Sequence, residues 1–102
     1  MPKQALESLT ETMFYELMAL FRGEKCGTDI AAWIEAKTGR RILLGPATLY
    51  TILAKFEKEK YIRETKVEGR KRTYAITDRG RQAYQDELER LQACLEDGKA
   101  EL

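Results

Sequence analysis

The 102-residue chain has no histidine, one tryptophan, two prolines and two widely separated cysteines, Cys26 and Cys94. Without histidine the commonest proton carrier of general acid–base catalysis is missing, and a serine or cysteine nucleophile has no imidazole to activate it. Two distant cysteines likewise provide no ligand spacing for a metal. Glu57 and Glu59 form a carboxylate pair, but two positions apart on an expected helix they face different ways. No enzyme is expected, and no metal or other cofactor. No apolar run approaches the roughly 18 residues of a membrane span, and the opening "MPKQALESLT" has no apolar block of the secretory-leader kind. These absences predict a cytoplasmic protein that does not engage membranes.

What is present is 43% hydrophobic and 34% charged residues, the balance of a domain rich in amphipathic helix. The length suits a single domain over 1–102 with one modest core. A net charge of +1 conceals a division along the chain. From Arg40 to Arg72 there are ten basic and four acidic residues, net +6; from Gln82 to Leu102 there are two basic and six acidic, net −4. A basic middle joined to an acidic tail is expected when one face of a protein meets a polyanion.

The periodicity predicts four helices and a hairpin. The first helix runs over 8–23, capped by Ser8 or Thr10, with Leu9, Met13, Leu17 and Leu20 on one stripe and Phe14, Met18 and Phe21 on a second. That is more apolar surface than a small core needs, so the helix is expected to be central and to turn its second stripe toward another subunit. After the connection Gly23 to Gly27, Thr28 or Asp29 caps a second helix, with Ile30, Ala31, Trp33 and Ile34 inward and Gly39 as its stop. A short extended piece follows at Ile42 to Leu44. Pro46 at a first helical position then opens a third helix. Its Leu49, Ile52, Leu53 and Phe56 follow i, i+3, i+4, i+7, which leaves Ala47, Thr48, Tyr50, Thr51 and Lys55 on the other face.

"YIRETKV" and "RTYAI" alternate around "EGRK" as a β-hairpin, its buried face beginning at Tyr61 or Ile62 and returning through Tyr74 and Ile76. Thr77 or Asp78 caps the last helix, 78–97, where Tyr84, Leu88, Leu91 and Leu95 recur at spacings of four, three and four. This seam, with Phe14, Met18 and Phe21, is the expected dimer interface. Three helices followed by a hairpin is the order of a winged helix-turn-helix, a mostly α member of the α+β class, here with an added C-terminal dimerisation helix. On that fold Thr48, Tyr50 and Thr51 would meet bases and phosphates, and Lys55 the backbone of double-stranded DNA. None is a bidentate base reader, so thymine methyls and DNA shape are expected to carry part of the specificity. On the wing, Lys66, Arg70, Lys71 and Arg72 would meet phosphates. The alternative is a winged-helix protein-interaction module that never touches DNA, and the basic wing speaks against it.

The stretch "LGPATLYTILAKFEKEKYIRETKVEGRKRTYAITDRGRQAY" resembles the signature of the PadR-like transcriptional regulators. The matching residues are Pro46-Ala47-Thr48-Leu49-Tyr50 at the start of the third helix, Lys60-Tyr61-Ile62 at the hairpin entry and Tyr74-Ala75-Ile76-Thr77-Asp78-Arg79-Gly80 at its exit. "LTETMFYELMALFRGEKCGTDI" is similar to the family's first helix and turn. Ala47 and Lys60 stand where the family usually has glycine, and Cys26-Gly27-Thr28 where it has His-Gly-Tyr. The resemblance implies a homodimeric DNA-binding regulator, usually a repressor, on a pseudo-palindromic operator, and the short last helix matches the family's compact branch. In some compact members a cavity between subunits binds flat hydrophobic compounds that relieve repression. Trp33, Phe14 and Tyr84 are the candidate residues for such a small hydrophobic effector.

Overall fold

The computed structural model describes residues 8–102; residues 1–7, on which the expectation about a leader falls, lie outside the described residues. Among the described residues the chain forms α1 (Glu11–Leu20), β1 (Lys25–Cys26), α2 (Gly27–Lys37), α3 (Pro46–Lys58), β2 (Ile62–Glu68), β3 (Lys71–Ile76) and α4 (Asp78–Ala100). This is the winged-helix order, with α4 appended.

Thr10 caps α1, its hydroxyl accepting from Met13 N at 3.2 Å. The helix ends at Leu20, short of the expected Gly23. Neither Thr28 nor Asp29 caps α2: Cys26 occupies the N-cap position in extended conformation and makes no side-chain cap. The reason is β1, a strand that stands where a plain connection from Gly23 to Gly27 is expected. Lys25 pairs with Tyr74 and Cys26 with Thr73, so the chain leaves a strand and enters a helix without an intervening turn. The sheet is antiparallel, in the order β1-β3-β2. Ile42 to Leu44 join no strand; Ile42 is buried in the core while Leu43 is exposed. Thr77 caps α4, accepting from Gly80 N at 3.0 Å, and the helix reaches Ala100, past the expected end at 97.

Leu17, Leu20, Ile30, Ile34, Leu53 and Phe56 are fully buried at the centre of the core, and both Tyr61 and Ile62 are buried where the hairpin begins. Ala31 and Trp33, expected inward, are only half-buried. Lys60 takes a left-handed φ of +64°. That conformation costs a non-glycine residue about 1 kcal/mol, which accounts for glycine at the corresponding position of the family pattern. No helix among the described residues is long and apolar enough to cross a membrane.

Candidate nucleic-acid interface

α3 has a sharp division between its faces. Leu49, Ile52, Leu53 and Phe56 are buried, and each buried side chain of this size contributes about 1.5–3 kcal/mol. Ala47, Thr48, Tyr50, Thr51 and Lys55 are all exposed. At 3.6 residues per turn, Ala47, Thr51, Ala54 and Lys58 share one stripe of this outward face. Ala54 and Lys58 are exposed with the rest. They extend the face expected from the sequence, and their spacing of three and seven from Thr51 is the signal that places them there. Thr48, Thr51 and Lys55 border a shallow groove whose other wall is Met13 of α1 and its capping residue Thr10. The opposite flank is Tyr50, whose ring leans toward Gly27 at the start of α2.

The hairpin turns on Gly69, φ +63°, between the paired residues Glu68 and Lys71. Arg70 keeps an ordinary negative φ, the sign pattern of a two-residue type II′ turn. The register slips between Glu64 and Lys66, leaving Thr65 as an extra residue in β2. A bulge of this kind bends and twists the strand. Across the strands Arg72 Nη1 donates to Glu64 Oε2 at 2.6 Å, and within β2 Lys66 Nζ lies 3.6 Å from Glu68 Oε2. The four basic residues expected to meet phosphates therefore divide. Arg72 and Lys66 already have carboxylate partners, whereas Arg70 and Lys71, at the tip, are exposed and make no ion pair among the described residues.

Of the expected interface residues, Leu88, Leu91 and Leu95 are 45%, 38% and 52% exposed and line one side of α4. Tyr84 is half-buried and stacks on Phe14, with ring centroids 4.9 Å apart and planes 7° apart; it also tilts against Phe21 at 5.0 Å. Phe14 is thus covered by its own chain, while Met18 and Phe21 keep part of their surface. Trp33 and Tyr84 meet at one open groove of about 450 Å³ that includes Met18 and Phe21 and is edged by Arg22, Lys25 and Lys37. Lys25 and Lys37 lie within 6 Å of the Trp33 ring centre, at 5.9 and 5.8 Å. Phe14 does not line this groove.

The model of the "Transcriptional regulator PadR-like family" matches residues 17–86, which include α2, α3, the hairpin and the start of α4. A transcriptional regulator from Clostridium thermocellum superposes with a TM-score of 0.78 at 28% identity, over 86% of this chain and 89% of that one. Bacillus subtilis PadR, solved in complex with operator DNA, gives 0.68 at 26% identity, over 78% of this chain and 47% of that one. An uncharacterised 37.1 kDa protein in transposon Tn4556 of Streptomyces fradiae is 38% identical over 71 residues, and the chain spans only 20% of its length. The matched segment covers most of the chain and carries both the outward face of α3 and the basic wing, and on that ground the chain belongs to the PadR-like family of transcriptional regulators.

Proposed function

We propose that the chain is a homodimeric, sequence-specific DNA-binding repressor that reads bases with α3 and grips phosphates with its wing. The observation that carries this reading is the wing tip, where Arg70 and Lys71 are exposed and no carboxylate among the described residues pairs with them. Uncommitted cations on a glycine turn suit a phosphate backbone approached at close range. The outward face of α3 supplies the complementary half, with small or hydroxylated groups at Ala47, Thr48, Thr51 and Ala54 that fit the floor of a major groove. Lys55 and Lys58 would meet the groove's phosphate rim. The operator complex of the similar Bacillus subtilis protein supports this assignment.

The test is selection from random duplexes with purified protein. A dimer should enrich a pseudo-palindrome whose half-sites are about 10 base pairs apart, or a multiple of that. Thr51→Ala should change the preferred bases while leaving the salt dependence of binding nearly intact, because base contacts specify and phosphate contacts position. A wild-type pool that enriches no sequence refutes the reading.

Self-association is assigned to the α4 seam. Every residue from Leu88 onward is exposed in the single chain, and Leu91 opens onto another groove beside Leu9, just before α1, and Phe14 of α1, where apolar groups of another copy can lodge. Met18, Phe21 and Tyr84 would border this surface. Since Leu88 and Leu91 support no core packing, Leu88→Glu with Leu91→Glu should leave a folded chain that sediments as a monomer. A double variant of unchanged dimer mass would place the interface elsewhere. The open groove between Trp33 and Tyr84 is the proposed seat of a small hydrophobic effector that relieves repression, since a planar molecule there would rest against both rings.

A further inference from the structure

Gly27 opens α2 with a backbone that any residue could adopt, and alanine would favour a helix more than glycine does. Nothing local calls for glycine at this position. What calls for it is a side chain of another helix. A β-carbon on Gly27 would stand 2.5 Å from Tyr50 Oη, 2.8 Å from Cζ and 2.9 Å from Cε1, well inside contact distance. The ring of Tyr50 therefore lies across the first turn of α2, in the space a side chain would fill.

Tyr50 is nevertheless 44% exposed and belongs to the outward set of α3. A tyrosine on an exposed helix face ordinarily samples several staggered rotamers. One seated against a neighbouring helix is ordered before any partner arrives, which removes that entropy cost from binding. We propose that Gly27 is a positioning residue for Tyr50: the missing β-carbon forms the slot that presents the phenol beside the base-reading face, so the DNA sequence preference depends on Gly27 through Tyr50. This inference rests on the reading of α3 as the DNA-contacting helix.

The atoms in conflict sit at the far end of a half-exposed side chain, so Gly27→Ala should swing the ring aside and leave the backbone in place. The experiment compares wild type, Gly27→Ala, Tyr50→Ala and the double variant. Thermal melting reports the fold, random-duplex selection and operator affinity report DNA reading, and nuclear Overhauser contacts between the Gly27 α-protons and the Tyr50 ring report the seat. Wild type should show those contacts. Gly27→Ala should melt within a few degrees of wild type, lose on the order of tenfold in affinity for the wild-type operator, and enrich the sequences that Tyr50→Ala enriches. In the Tyr50→Ala background the same substitution should change affinity less than about twofold, as expected when both act through one contact.

A Gly27→Ala protein with wild-type preference and affinity overturns the proposal. So does an equal loss in the Tyr50→Ala background, which would place the effect in α2 itself, or a Gly27→Ala chain that fails to fold. If wild type enriches no sequence, the DNA reading falls and takes this role of Gly27 with it, an outcome the wild-type arm separates from the others.

Discussion

Gly80→Ala is expected to cost about 3 kcal/mol or more of folding stability, within or beyond the usual range for overpacking a close contact. Gly80 lies in the first turn of α4, and a β-carbon there would stand 2.1 Å from the Tyr61 carbonyl oxygen, 2.9 Å from its carbon and 2.8 Å from Ile76 Cγ1. The obstruction is backbone, so no rotamer change can relieve it. It is also backbone held in a network. Thr77 N donates to Tyr61 O at 2.9 Å, Thr77 Oγ1 to Lys60 O at 2.6 Å, and Arg79 Nε to Glu59 O at 2.8 Å. Three successive carbonyls at the exit from α3 are thus bound by the first turn of α4. A methyl group would force these elements apart and weaken the hydrogen bonds together, far outweighing the roughly 1 kcal/mol that alanine gains over glycine in a helix. Urea denaturation at fixed protein concentration measures the loss; a midpoint equal to wild type would mean that the close approach does not exist in solution.

Glu16→Met should act in the opposite direction, stabilising the fold by on the order of 3 kcal/mol at pH 7. Glu16 is fully buried on α1, and neither carboxyl oxygen has a hydrogen-bond partner among the described residues. Burial pushes its carboxyl from 4.5 up to about 9, so the folded chain holds a neutral acid at neutral pH while the unfolded chain carries a carboxylate. Folding takes up a proton throughout that window. The stability associated with Glu16 is therefore complete below pH 4.5 and declines as pH rises toward about 9. Methionine has a similar length and adapts to irregular space without a charge. The variant should melt higher at pH 7 and lose most of the decline between pH 6 and 8.

Glu87, also buried, behaves in the opposite sense. Hydrogen bonds from the Arg90 guanidinium hold its carboxyl below the usual value, so its contribution is present above pH 4.5 and is lost as acid protonates it. Melting curves of Glu16→Met across pH separate the two groups. An unaltered pH slope with no gain in stability would mean that Glu16 finds a charge partner in solution.

What the sequence revealed and what it concealed follow from how local each cause is. The four apolar residues of α3 recur with the helical period, so both its buried and its outward face could be read directly. The hairpin was equally legible from its alternation around Gly69. β1 has two residues and therefore no period at all; it exists because β3 offers a free edge. The pairing of Arg72 with Glu64 depends on a register set by the bulge at Thr65, which composition cannot reveal. The requirements at Gly27 and Gly80 originate in Tyr50 and Tyr61, which are remote in sequence and adjacent only after folding. Glu16 was hidden for a different reason, since a glutamate beside an apolar stripe ordinarily lies in water.

The most direct test of the account is the salt dependence of DNA affinity for wild type, Arg70→Ala with Lys71→Ala, and Arg72→Ala, on a selected operator and on random duplex. Each phosphate contact contributes about 0.9 to the slope of log affinity against log salt, so a dimer losing two contacts per wing should flatten by about 3 to 4 units on both duplexes. Arg72→Ala should flatten the slope less, because Glu64 already engages that guanidinium. A tip variant that binds both duplexes with the wild-type slope would contradict the account, leaving the basic hairpin a solvated edge with no part in holding DNA.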